Sequence, residues 1–412
     1  MKQQFAAKHP WTILAAGAAI QILTGLPAAW GVFQQPVMDE FSLTEDGAGY
    51  AFGILIAAFG VGCVIGGFLQ DKKGPRCAAL WGTGLLCGGF FAAALLPGEK
   101  GVWFWAVFSI PAGLGTAFLY PSIQSCAQKW YAGRKGLATG VIGGAVGLSG
   151  AFLTGFVRTA LKGFGPVQGI RGAFWALGVL TLPVCLVGSA LLTDPPPAKQ
   201  KPEEQGRGKG TPSLDLAPLQ MLRTKQYWLC AGAVCCSTPA VLLFSPIILQ
   251  LCAQRGLAEG DALWAVVLGS VGSAAGRLLM PMLSDKLGRR MVDLGLFAAS
   301  FALSGIFWLA QGWWVVGVYA GLTFCYSALA AVLPALSTDL FGLPHAGVNY
   351  GFLALGQSVG SLVFPQAARL LALESGRHIL ALAGAAAGFA SIWMLGQTGG
   401  GKSVPLSKLT KK

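Results

Sequence analysis

The run Gly67-Phe-Leu-Gln-Asp71-Lys72-Lys73-Gly74-Pro75-Arg76 closes one long apolar stretch, and Pro281-Met-Leu-Ser-Asp285-Lys286-Leu287-Gly288-Arg289-Arg290 closes another, 214 residues later. Acid, base, glycine and arginine fall at matching offsets. Further matches follow in the same order. Trp130-Tyr131-Ala-Gly-Arg134-Lys135-Gly136, leading to Gly140, has its glycine spacing repeated 211 residues on, from Phe341 to Gly347 and then Gly351. The first and seventh apolar stretches each hold two prolines, Pro27 with Pro36 and Pro239 with Pro246. One match could arise by chance; the ordered set indicates an internal duplication.

The stretches between these loops belong in a membrane. The chain is 54% hydrophobic and 11% charged, whereas soluble chains carry about 25% charged residues. So few charges cannot cover the surfaces of two soluble domains. Long apolar stretches occur at roughly 11–38, 47–70, 77–97, 101–127, 136–157, 172–193, 226–253, 262–284, 291–311, 312–338, 346–368 and 379–397. Each is long enough to cross a bilayer as a helix, which takes about 20 residues. The first is too long for a signal-peptide core and is read as retained. The expected fold is an all-α integral membrane protein with twelve transmembrane helices in two pseudo-symmetric six-helix bundles. Residues 1–194 form the first bundle and 226–397 the second. Residues 195–225 open with Pro195-Pro196-Pro197 and are rich in charge, as a linker is; 398–412 form a tail.

The formal charge of +13 follows from this topology. With both termini and the linker on one side, the segments there hold 21 Lys/Arg against 8 Asp/Glu, and the opposite loops hold 7 against 8. Such a bias marks the cytoplasmic side. It predicts a multi-pass protein of the plasma (inner) membrane with both termini cytoplasmic, and it leaves no basic patch for nucleic acid. A duplicated six-span unit is the pattern of transporters whose site lies between the halves. The short loops, with Asp71, Arg76, Asp285, Arg289 and Arg290, are expected to latch one bundle to the other.

Arg277 is the one charge left inside a stretch. Eight residues before Asp285, it lies about 12 Å deep along a helix. A charge there is costly and normally faces a partner or an aqueous cavity. Ser270, Ser273 and Ala274 share its face, and Leu268 and Leu279 point away. A planar guanidinium presents two parallel donors to a carboxylate, so Arg277 is read as a carboxylate receptor. Thr116, Tyr120 and Gln124 share a face of the fourth stretch, and Tyr319, Thr323 and Tyr326 a face of the tenth. Tyr120, Tyr326, Gln357 and Ser273 are candidate binding residues beside it, with Phe33 and Phe352 closing apolar sides.

These loops resemble the signature loops of the major facilitator superfamily over essentially the whole chain. Three stretches resemble its oxalate–formate antiporter and monocarboxylate transporter branch. They are Gly31-Val32-Phe33 to Pro36-Val37 and Phe41; Tyr120 to Trp130 with Arg134-Lys135-Gly136-Leu137-Ala138; and Gly276-Arg277 into Ser284-Asp285, with Asp339-Leu-Phe-Gly342 and Asn349-Tyr350-Gly351 downstream. The resemblance implies that Arg277 binds substrate. Two departures shape the expected substrate. Oxalate carriers have a second cation in the eleventh span, and Gln357 stands there instead. One fixed positive charge balances one carboxylate, which implies a monocarboxylate such as lactate, pyruvate, acetate or formate. Animal-type monocarboxylate carriers have an aspartate one turn before the arginine and a first-span lysine; Ser273 holds the first place and nothing the second. No acid is expected deep in any span, so proton symport and anion exchange both stay open, as do a dicarboxylate such as oxalate, an organophosphate or a drug as substrate.

Other signals carry less. Gly396-Gln-Thr-Gly-Gly-Gly401-Lys402-Ser403 matches the P-loop pattern but follows a span rather than a strand. The ten cysteines lack zinc-ligand or redox spacing, and the three histidines are scattered. The expectation is a monomeric transporter in the lipid bilayer, not an enzyme, with no metal and no cofactor, whose partners are a small carboxylate and at most a co-transported proton.

Overall fold

The structure is a computed structural model, and it describes residues 10–131, 135–195, 215–342, 345–371 and 375–398. Twelve long helical spans occupy these residues. In the first half they are α1 (Pro10–Phe41), α2 (Glu45–Lys73), α3 (Pro75–Leu95), α4 (Trp105–Trp130), α5 (Gly136–Gly165) and α6 (Gly169–Leu191). In the second they are α7 (Lys225–Gln254), α8 (Gly260–Leu287), α9 (Arg289–Leu309), α10 (Trp313–Phe341), α11 (Ala346–Leu370) and α12 (Gly376–Thr398). Eleven are long and apolar enough to cross a membrane; α11 falls short because it carries Asn349, Gln357, Ser358, Ser361 and Arg369. The helices overrun several expected ends: α5 reaches Gly165, where the backbone turns at φ +69° straight into α6.

The duplicated loops fold alike. Gly74 (φ +86°) and Gly288 (φ +89°) hold equivalent places and let each chain reverse between two long helices within a single residue, a left-handed conformation that glycine adopts without Cβ strain. Proline at the start of α3 and α7's segmented course follow the usual placements. α1 breaks at Gly25, and α7 breaks near Pro239 and again at Ser245–Ile247. The broken helices face each other, and Ser245 Oγ donates to the Pro27 carbonyl across the midline (3.4 Å).

Each half has its own core. In the first, Trp30, Phe33, Phe90, Phe104, Phe108 and Phe174 form a continuous aromatic cluster with ring centroids 4.9–6.5 Å apart. In the second, Phe244 and Phe307 pack around His378. Trp81, Val187, Leu309 and Trp314 point outward, as lipid-facing residues do. The halves meet along two helix pairs, α2 with α11 and α5 with α8. Both approach closely through glycine: a Cβ on Gly351 would stand 2.6 Å from the Cys63 carbonyl oxygen, and one on Gly147 would collide with the backbone of Ala274. Small residues make such crossings possible in membranes. Most of the linker, 196–214, and the tail from 399 lie outside the described residues; Leu216 is tied to the second half through Phe341 and Asn349.

Candidate substrate site

A central cavity of about 140 Å³ lies between the halves. α8 contributes Ser270, Ser273 and Arg277 at steps of three and four, so one helical face supplies all three. Leu268 and Leu279 on the opposite face are exposed, toward lipid. The stem of Arg277 lies over Gly143 of α5, where an added Cβ would meet it at 3.2 Å. Its guanidinium makes no hydrogen bond or ion pair with any other described residue, and its Nε is buried without a partner. A half-buried guanidinium within a span and without an ion-pair partner is costly, so this end of the cavity suits an anion.

Hydroxyls and amides surround it. Gln357 Nε2 donates to Tyr326 Oη at 2.7 Å, which leaves the phenol proton free to donate into the cavity. Ser273 and Ser327 share a hydrogen bond of 2.6 Å. Tyr120 accepts from Gln124 Nε2 at 3.3 Å, and Thr116 lines the same wall. Tyr319 and Thr323 also line the cavity, as their spacing on α10 predicts. The structure therefore brings Arg277, Tyr120, Tyr326, Gln357 and Ser273 together.

Two expected residues lie elsewhere. Phe33 is buried in the aromatic cluster of the first half, stacked on Phe174 at 5.8 Å. Phe352 packs in the second-half core, and Tyr227 Oη donates to its carbonyl at 3.2 Å. Leu55, Ile56, Phe59, Leu242 and Val266 form the apolar wall instead. The sequence reading also missed Tyr350, Ser245 and Gln21. Gln21 is fully buried, takes a 2.6 Å bond from Thr24, and leaves its own Nε2 unpaired at the cavity. Its signal was an amide with Thr24 one turn on, within the apolar run that precedes the break at Gly25.

Asp293 requires a correction. Arg277 is not the one charge inside the spans, because this carboxyl, though not deep, is buried one turn into α9. It lines a second cavity of about 40 Å³ that shares Tyr326, Ala330, Tyr350 and Gln357 with the first.

The duplicated loops divide their work between acids and arginines. Asp71 reaches the start of α11, beside Gly347, and Asp285 reaches the start of α5, beside Gly136. Each carboxylate thus meets a helix N-terminus of the other half, where negative charge is favoured. The arginines do not cross. Arg289 binds Asp285 (2.5 Å) and Asp339 (3.2 Å) within its own half. Arg290 donates to the Trp393 carbonyl (2.9 Å), and Arg76 is exposed. On the face opposite the linker, Arg369 joins the halves through Asp46 (2.6 Å) and Tyr50 (3.1 Å).

Two six-helix halves around a central cavity are the architecture of secondary transporters. The chain belongs to the Major Facilitator Superfamily, whose sequence profile matches residues 13–365. It is similar to the oxalate:formate antiporter of Oxalobacter formigenes, at 23% identity over 354 residues, covering 83% of this chain and 79% of that one. It is also similar to human monocarboxylate transporter 11, at 25% identity over 394 residues, covering 89% and 78%. Among solved structures, the proton:xylose symporter XylE bound to 6-bromo-6-deoxy-D-glucose superposes with a TM-score of 0.71 at 14% identity, covering 94% of this chain and 95% of that one.

Proposed function

We propose that the protein carries a small monocarboxylate of the lactate, pyruvate or formate type across the plasma (inner) membrane by alternating access, as a monomer with the linker on the cytoplasmic side. The observation that carries this reading is Arg277, a lone guanidinium without a partner on the wall of a cavity that α11 faces with neutral Gln357. The guanidinium would hold both carboxylate oxygens, and the Tyr326 hydroxyl would orient them. Ile56 and Phe59 would shelter the hydrocarbon end. The cavity is below the roughly 300–1,000 Å³ of drug-sized pockets, which favours a small solute. Oxalate would bring a second negative charge without a second fixed cation, a costly arrangement at low dielectric.

Oxalate is the second reading, because one relative exchanges it with formate by name. Purified protein in liposomes, tested for uptake of labelled lactate, formate and oxalate, separates the two. Lactate or formate should be preferred, and Arg277→Gln should abolish that uptake. Competition by oxalate at least as strong as by lactate overturns the monocarboxylate assignment; normal transport by the variant overturns the site.

A further inference from the structure

Asp293 is a carboxyl with no hydrogen bond or ion pair to any other described residue. It is 4% exposed, and its Oδ1 has no hydrogen-bond partner. The nearest cation is Arg289, one turn earlier on α9, but Asp285, Asp339 and Ser284 already occupy that guanidinium. The titratable groups that line the same cavity from neighbouring helices are Cys230 of α7, Tyr326 of α10 and Tyr350 of α11, with Ser237, Gln357 and, from α12, Ile392 beside them. None is a cation. At four residues past Arg289, the carboxyl is about 6 Å from the start of its helix, on the linker side of the central cavity. An acid buried in a span without a structural partner points to function.

We infer that Asp293 is the proton-binding group of the carrier and couples one proton to each monocarboxylate; this rests on Arg277 being the carboxylate receptor. The reasoning is one of charge. With the site empty, the Arg277 cation and the Asp293 carboxylate balance each other across the two adjoining cavities. A bound monocarboxylate adds one negative charge. The balance returns when a proton from water on the entry side forms an O–H bond on Asp293, and it is released to water on the exit side when the bond breaks. The empty and the doubly loaded forms then carry no net charge over the two adjoining cavities. Forms holding only the anion or only the proton carry a net buried charge, which is costly, so they reorient poorly. Tyr326 and Gln357 form a wall of both cavities and bond to each other, which makes them the contact between the two sites.

The test uses the full chain in liposomes with labelled lactate, comparing uptake driven by an acid-outside pH gradient with exchange against internal lactate at equal pH. A trapped pH-sensitive dye follows proton entry. The wild type should accumulate lactate under the gradient and take up protons with it. Asp293→Asn should lose gradient-driven uptake and proton entry but keep exchange, because a permanently neutral side chain suits the loaded form and need never release a proton. Asp293→Glu should recover part of the coupled uptake. Gradient-driven uptake that persists in Asp293→Asn overturns the inference. So does a wild type that only exchanges, or loss of exchange together with uptake in a variant that still binds lactate. Failure of the receptor reading looks different: Arg277→Gln would keep exchange, or the wild type would move none of the acids.

Discussion

At the 214-residue offset that aligns Asp71 with Asp285, the Ser270, Ser273 and Arg277 face of α8 corresponds to Ile56, Phe59 and Cys63 of α2. At the 211-residue offset that aligns Gly136 with Gly347, Gln357 of α11 corresponds to Val146 of α5. Ile56, Phe59 and Val146 line the cavity opposite their polar counterparts. Duplication placed equivalent faces around one space, and at these positions α8 and α11 carry polar and charged side chains where α2 and α5 carry apolar ones. Between these two faces the cavity is polarised, and the solute that matches it has a charged end toward α8 and a hydrocarbon end toward α2.

The sharpest way to break this comparison is to exchange the equivalent positions. Arg277→Gln removes charge-assisted hydrogen bonds worth about 1.5–3 kcal/mol each, so apparent affinity for the preferred anion should fall by roughly 100-fold or more. Cys63→Ser, at the matching place on α2 but packed against Ala117 and Ala354 away from the cavity, should leave affinity nearly unchanged. Concentration dependence of exchange measures both. Equal losses at the two positions would mean that the walls do not differ as described.

Much of this was legible in the sequence, for definable reasons. The bundle architecture follows from composition and the repeated loops, because few charges and an ordered duplication have no soluble counterpart. Arg277 stands out because it interrupts an apolar stretch. Phe33 was misplaced because an aromatic in a span looks the same whether it turns into its own bundle or toward the midline, and only packing against Phe174 decides. Asp293 was hidden by its position one turn past the Asp285–Arg290 loop, where an acid reads as part of the charged loop until burial is known. α11 shows the reverse problem: its polar residues lower its hydropathy because it lines the cavity and crosses to α2.

The two inter-half crossings give the next comparison. Gly147→Ala and Gly351→Ala both place a Cβ against backbone of the facing half. Each should cost about 1–3 kcal/mol, the usual range for overpacking, and strongly reduce transport. Gly144→Ala is the internal control, since its Cβ would rest 3.8 Å from the nearest atom, an ordinary contact. Thermal unfolding in detergent with parallel transport assays reads all three. Tolerance at Gly351 but not Gly147 would show that the α2–α11 and α5–α8 contacts are not equivalent.

Next in size is the clamp that only the second half retains. Pro75 stands where Arg289 does, and Gln128 corresponds to Asp339 at the 211-residue offset, so the first half lacks both arms. The Asp285 and Asp339 side chains are about half exposed, and solvent screening keeps each pair within roughly 1 kcal/mol. Arg289→Ala should lower the unfolding midpoint by an amount consistent with about 1 kcal/mol. Arg76→Ala, at an exposed side chain, should leave it unchanged.

The smallest effect is expected at the face opposite the linker. Arg369 holds Asp46 and stacks over the Tyr50 ring at 4.9 Å, but the Asp46 side chain is 69% exposed. A pair of this kind contributes at most about 1 kcal/mol, too little to hold the halves shut, yet enough to bias two states that lie close in energy. Asp46→Asn should therefore leave unfolding unchanged while raising the opening of that face by up to roughly fivefold. Labelling of a cysteine introduced at Gly49 would report it, provided the native cysteines are replaced first. The linker side has no such exposed ion pair between the halves among the described residues; its acids meet helix termini instead. A larger opening from Asp46→Asn than from Asp71→Asn would reverse the ranking, and place the stronger latch on the face with the weaker-looking chemistry.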